Sequence, residues 1–114
     1  MPDVDGGKTV RIILRDCDMA DGQLSSQRFV EWVITGLCNY LAMTMIGGDP
    51  FTRPIPPGLS TVLVIAESHI AIHTWPETAS VRVVIDCCVD FNHNAAADWL
   101  KDIFGAVKYE YSVA

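Results

Sequence analysis

A serine and two histidines lie close together near the middle of the chain, and their types allow several kinds of chemistry. A serine beside histidines is typical of hydrolases, but no Gly-x-Ser-x-Gly turn surrounds Ser68 and no oxyanion-hole loop is evident. His69, His73 and Cys88 could bind zinc, but on a strand the two histidines would lie about 13 Å apart, too far for one metal ion. These residues alone therefore predict no metal site, and they indicate histidines that make ordinary hydrogen bonds on a half-exposed sheet.

The residues around this cluster form a more specific pattern. The segment 67–77 reads ESHIAIHTWPE. This run resembles the signature of the small prokaryotic S-adenosylmethionine decarboxylases, in which the chain cuts itself at a Glu-Ser bond. In that family a histidine lies five residues after the serine and a cysteine lies twenty after it. Ser68, His73 and Cys88 reproduce both spacings, and Ser60 matches an upstream serine that assists processing.

The resemblance implies a self-processing, pyruvoyl-dependent carboxy-lyase of polyamine biosynthesis. The Ser68 hydroxyl would attack the carbonyl of Glu67, and loss of the serine α-proton to His73 would then cleave the resulting ester by β-elimination. Hydrolysis of the dehydroalanine would leave a pyruvoyl group at position 68. Its keto group would condense with the substrate amine and accept electrons as CO₂ leaves, and Cys88 would return a proton to the substrate carbon.

The resemblance also assigns the domain and the substrate pocket. A single domain, residues 1–114, would be cut into fragments 1–67 and 68–114. Trp75 and Glu77 match family positions that line the pocket, often across a dimer interface. The expected partners are therefore a small amino-acid-type substrate and a second copy of the chain.

Several positions that recognise the substrate in the family differ here. Pro54 and Thr52 stand where the family usually has an adenine-stacking aromatic and a histidine, and 78–80 replaces the usual tyrosine and glycine. S-adenosylmethionine is still the first expected substrate, and L-ornithine or L-arginine is the alternative. Glu77 or Asp86 would meet the distal cation of those amino acids. A further alternative is a non-enzymatic relative that keeps the fold and an uncut serine.

Apolar periodicity predicts the elements that position these residues. The predicted strands are 10–15, 60–66, 69–74, 81–88 and 107–111. The first predicted helix begins at Ser25 or Ser26 and ends near Gly47-Gly48, and the second begins at Asn92 or Asn94 and ends at Gly105. The segment 49–58, with four prolines, is expected to be an irregular loop. The order βαβββαβ predicts an α+β two-layer sandwich, a mainly antiparallel sheet with two helices on one face.

Strand alternation predicts which side chains share a face. Ile70 and Ile72 would face the helices together with Cys87, whereas His73 and Cys88 would share the open face. Because the strand 60–66 is apolar on both faces, we expect a second copy to cover the open face, giving a homodimer.

Composition limits the class of protein. The 114 residues carry a net charge of −6, which disfavours nucleic acid as a partner because binding a phosphate backbone needs a basic face. Four cysteines and an acidic, leaderless start predict reduced thiols and a cytoplasmic protein. No apolar run approaches the roughly 18 residues of a membrane helix, so no membrane partner is expected.

Overall fold

In the computed structural model, which describes residues 7–114, a six-stranded sheet carries two α-helices on one face. The elements are β1 (Lys8–Cys17), α1 (Gln27–Tyr40), β2 (Phe51–Ile55), β3 (Gly58–Ile65), β4 (Ser68–Trp75), β5 (Ser80–Cys87), α2 (His93–Phe104) and β6 (Ala106–Val113). The strand order is β2-β3-β4-β5-β1-β6, and all neighbouring strands are antiparallel. The predicted α+β sandwich is confirmed.

Local signals in the sequence set the ends of both helices. At the start of α1, Ser26 Oγ accepts a hydrogen bond of 3.2 Å from the Phe29 amide, and at the start of α2, Asn92 caps the Ala95 amide at 3.0 Å. Gly105, with φ 61°, ends α2 in the left-handed conformation that glycine adopts without strain. Both helices bury an apolar stripe against the sheet.

The first helix ends earlier than the apolar stripe predicted. It stops at Tyr40 instead of near Gly47-Gly48, and Ala42 follows with a positive φ of 55°. The chain then leaves the helix axis to meet the end of β3, where the Ala66 amide donates to the Thr44 carbonyl at 2.9 Å. Tertiary hydrogen bonding thus overrides helix periodicity and brings this segment beside the Glu67-Ser68 bond.

The proline-rich segment 49–58 is not an irregular loop, as predicted, because it contains β2. This strand pairs with β3 from Phe51 opposite Val62 to Ile55 opposite Gly58. It lies at the edge of the sheet, where Pro54 can be accommodated because the strand pairs on one side only. The observed order is therefore βαββββαβ.

Alternation along the strands divides the sheet into a buried and an open face, as predicted. Ile70, Ile72, Val83 and Ile85 are fully buried under the helices, whereas Val64, on the other face, is 58% exposed. Within residues 7–114, no helix has the length and apolar character needed to cross a membrane.

Candidate active site

The predicted functional residues lie in two separate clefts. The first, here called the Ser68 cleft, has a volume of about 500 Å³ and is lined by Glu67, Ser68, Asp86 and Cys88 together with the start of β1. The second, the His73 cleft, has a volume of about 220 Å³. Its lining includes Ser60, His73, Trp75 and Glu77 as well as the turn between β2 and β3.

The Ser68 cleft is built around the tight turn between β3 and β4. The main-chain carbonyl of Glu67 accepts a hydrogen bond of 2.8 Å from the Cys88 amide. The Glu67 carboxylate accepts a hydrogen bond of 3.0 Å from the Thr44 amide, and this bond lowers the pKa of Glu67. Ser68 has a φ of 150°, in the positive range that residues other than glycine rarely adopt. The Glu67 carbonyl is therefore held in place, and the backbone of Ser68 that follows it is conformationally strained.

This geometry favours attack by the serine on the preceding carbonyl. The Ser68 hydroxyl is separated from the Glu67 carbonyl carbon by the atoms of its own residue, so that attack closes a five-membered ring. The negative charge that develops on the main-chain carbonyl oxygen of Glu67 is stabilised by the Cys88 amide, which already donates a hydrogen bond to that oxygen. A single such donor contributes on the order of 3 kcal/mol to stabilisation of an oxyanion.

The vicinal cysteines face opposite sides of the sheet. Cys87 is 1% exposed in the core, and burial raises the pKa of its thiol. Cys88 is half-buried and lines the Ser68 cleft. A β-carbon on Gly7 would lie only 2.6 Å from the Cys88 α-carbon, so glycine lets the start of β1 close this side of the cleft. Cys88 is therefore the more accessible of the two cysteines that line this cleft, and its catalytic role stays a prediction.

The His73 cleft contains a serine-histidine pair beside an aromatic wall. Ser60 Oγ lies 2.8 Å from His73 Nδ1, because the two residues are direct cross-strand partners. The Trp75 ring centre lies 6.3 Å from that of His73, and the Arg82 guanidinium lies over the Trp75 ring at 5.3 Å. Burial, and then the charge of Arg82, lower the pKa of His73. The lowered pKa favours the neutral imidazole, which is the form that can act as a base.

The two clefts lie far apart within one chain. Ser68 pairs with Cys87 and His73 pairs with Arg82, five residues further along β4. This separation corresponds to about 16 Å along the strand. His73 and Cys88 share the open face, as alternation predicted, but His73 does not reach Ser68 in the same chain.

Two residues at these clefts were not predicted to have a catalytic role. His69 Nδ1 lies 3.2 Å from Ser68 Oγ, and Arg82 covers Trp75. Alternation placed both on the open face, so the sequence carried a signal for their position but none for their contacts. Thr52 turns away from this face toward Thr61, and Phe51, which is 72% exposed, presents an aromatic ring on it instead.

In sequence, this chain is similar to S-adenosylmethionine decarboxylases. A family model described as S-adenosylmethionine decarboxylase matches residues 11–114. An S-adenosylmethionine decarboxylase proenzyme from Synechococcus sp. (strain WH7803) is 34% identical over 104 residues, which cover 90% of this chain and 79% of that protein. The proenzyme from Pseudomonas aeruginosa (strain LESB58) is 36% identical over 91 residues, which cover 80% of this chain and 55% of that protein.

A solved structure supports the fold. The crystal structure of the adenosylmethionine decarboxylase from Aquifex aeolicus superimposes with a TM-score of 0.79 and 24% sequence identity, covering 95% of this chain and 88% of that one. The family match over most of the chain and the sequence identity to the Synechococcus proenzyme lead to one assignment. The chain belongs to the S-adenosylmethionine decarboxylase family, the pyruvoyl-dependent carboxy-lyases that its ESHIAIHTWPE segment resembles.

Proposed function

We propose that this chain is a proenzyme that cleaves itself between Glu67 and Ser68 and then decarboxylates S-adenosylmethionine. The observation that carries the proposal is the Glu67-Ser68 turn, where a positive φ coincides with a carbonyl bonded to the Cys88 amide. A strained backbone at the serine and a hydrogen-bond donor at the preceding carbonyl both favour an amide-to-ester rearrangement. The names of the relatives, which are proenzymes, support the same activity.

The residues around position 68 fit a pyruvoyl group. When present, that group supplies the carbonyl that accepts electrons during decarboxylation. The Cys88 thiol lines the same cleft and is placed to return a proton to the substrate carbon. The cleft volume of about 500 Å³ is in the range of small-molecule sites.

A second copy of the chain completes the site. The Ser68 cleft lacks the Ser60-His73 pair, and the His73 cleft lacks Ser68 and Cys88. An antiparallel, face-to-face homodimer brings each cleft against the other type of cleft, and it also covers exposed apolar side chains such as Val64. In this arrangement His73 of the partner subunit removes the Ser68 α-proton. Ser60 of the partner subunit fixes the orientation of that imidazole.

The His73 cleft also provides recognition of the substrate. In this cleft Trp75 offers a partly exposed ring, and Glu77 offers a carboxylate for a cationic centre such as a sulfonium. Phe51 offers a second exposed ring outside the cleft lining, on the open face of β2. Stacking of a nucleobase on one such ring is worth about 1–3 kcal/mol. The open face of β2 therefore supplies an aromatic ring even though Pro54 interrupts the family pattern.

The experiment is denaturing mass spectrometry of the purified protein, followed by measurement of CO₂ release. We expect fragments 1–67 and 68–114, the second with a blocked pyruvoyl terminus, and CO₂ release from S-adenosylmethionine. Ser68→Ala leaves the chain intact and inactive, whereas Ser112→Ala, on β6 outside both clefts, is cleaved normally. An intact wild-type chain that still turns over contradicts self-cleavage. Release from L-ornithine or L-arginine but not from S-adenosylmethionine contradicts the substrate.

A further inference from the structure

The residue that directly contacts the reacting serine is His69. Its Nδ1 lies 3.2 Å from Ser68 Oγ, within hydrogen-bonding distance. His73 lies about 16 Å from Ser68 along β4, at the spacing of an extended strand. Within one chain, Ser68 therefore already contacts a base for its hydroxyl proton, whereas the base expected for its α-proton lies out of reach.

We propose that His69 is a further catalytic residue, which accepts the Ser68 hydroxyl proton in the ester-forming step of self-cleavage. This role rests on the proposed self-cleavage, and the two steps of that reaction use different histidines. His69 acts first and within the chain, and His73 acts second and from the partner subunit.

The step requires no other reactant. The hydroxyl proton of Ser68 moves to His69 Nδ1 as Oγ bonds to the carbonyl carbon of Glu67. The electron pair of the carbonyl moves to its oxygen, which the Cys88 amide stabilises at 2.8 Å. The bond from that carbon to the Ser68 nitrogen then breaks, and the proton on His69 moves to the nitrogen. The products are an ester and a free amine on residue 68, with His69 restored.

A carboxylate lies near the same nitrogen of this histidine. Asp86 Oδ2 lies 3.9 Å from His69 Nδ1, and Asp86 Oδ1 accepts a hydrogen bond of 3.2 Å from the Thr9 hydroxyl. The Thr9 contact fixes the carboxylate on β5 opposite His69, its cross-strand partner. The imidazolium that forms during the step therefore meets a negative charge, which favours proton transfer from the serine.

His69 is also free of a structural role that would explain its position. Its side chain is 41% exposed and lies on the open face of the sheet, outside the buried core. Its replacement removes a contact with Ser68 and opens no cavity among the helices. A defect in cleavage after its replacement is therefore attributable to the chemistry.

The test follows cleavage of freshly translated precursor over time and uses hydroxylamine to cut any chain that contains the Glu67 ester. We expect His69→Ala and His69→Asn to slow fragment formation about 100-fold or more, the usual effect of losing a general base, and to accumulate no hydroxylamine-sensitive ester. His73→Ala, by contrast, accumulates that ester, because its defect follows ester formation. Added imidazole should partly restore cleavage of His69→Ala.

The outcomes separate this inference from the proposed function. Cleavage of both His69 variants at the wild-type rate, or ester accumulation in them equal to that of His73→Ala, overturns the role of His69. A wild-type precursor that forms neither ester nor fragments overturns the proposed self-cleavage itself. Ser112→Ala, on β6 outside both clefts, is the control and retains normal cleavage.

Discussion

A site shared between two chains predicts that two inactive variants restore each other. Ser68→Ala removes the cleavage site but keeps the Ser60-His73 pair, and His73→Ala does the reverse. In a mixed dimer, one composite site combines the intact Ser68 of one chain with the intact His73 of the other. The second composite site carries both substitutions and is inactive.

The size of the effect follows from the geometry. Since Ser68 and His73 lie about 16 Å apart along β4, no side-chain rearrangement within one chain joins them. Random pairing of two equally expressed chains gives half mixed dimers, each with one active site of two. About a quarter of the wild-type sites should then be cleaved and active in this two-fold symmetric assembly.

The assay is co-expression of the two variants with different affinity tags, sequential purification of the mixed dimer, and denaturing mass spectrometry. In the purified mixed dimer, fragments should arise only from the chain that carries His73→Ala, which keeps Ser68. Each variant expressed alone, and a mixture of Ser68→Ala with a Ser68→Ala, His73→Ala double variant, should stay intact. A mixed dimer that remains uncleaved, while wild-type chains purified in the same way are cleaved, would refute the shared site.

Three further predictions concern single residues. Arg82→Met should shift the midpoint of the pH profile of fragment formation to higher pH. Burial and then the charge of Arg82 lower the pKa of His73, so removal of that charge lets the pKa rise. An unchanged midpoint contradicts this prediction. Cys88→Ala should lower CO₂ release about 100-fold with progressive loss of the pyruvoyl group. Cys87→Ala should retain turnover and lose about 1 kcal/mol of stability in urea unfolding; equal turnover of the two cysteine variants contradicts the assignment. Val64→Arg, on the open face, should sediment as a monomer and stay uncleaved, and an active monomer contradicts the dimer.

The sequence predicted the composition of the two faces better than the position of residues along them. Alternation is a property of each strand alone, so Cys87 and Cys88 could be assigned to opposite faces without knowledge of the pairing. Position along the sheet depends on register. Ser60 and His73 are equally distant from the two-residue turn at 66–67, so a tight hairpin makes them direct partners. The same count places His73 far from the turn and from Ser68.

Other features depend on contacts that leave no local pattern. The early end of α1 follows from the hydrogen bond between Thr44 and Ala66, which are distant in sequence. The strand β2 forms in a proline-rich segment because β3 offers an unpaired edge. The contact of His69 with Ser68 needs the unusual φ of Ser68, since neighbouring side chains on a regular strand point to opposite faces.

The division of the site into two clefts links self-cleavage to assembly. Ester formation uses Ser68, His69 and the Cys88 amide, all of one chain, and is therefore expected in a monomer. In the proposed mechanism, removal of the α-proton uses His73 of the partner subunit and therefore requires the dimer. Because ester formation is reversible, a chain that has not found its partner can return to the intact amide. The proposed mechanism thus restricts the irreversible elimination to an assembled dimer, in which both clefts contribute to the substrate pocket.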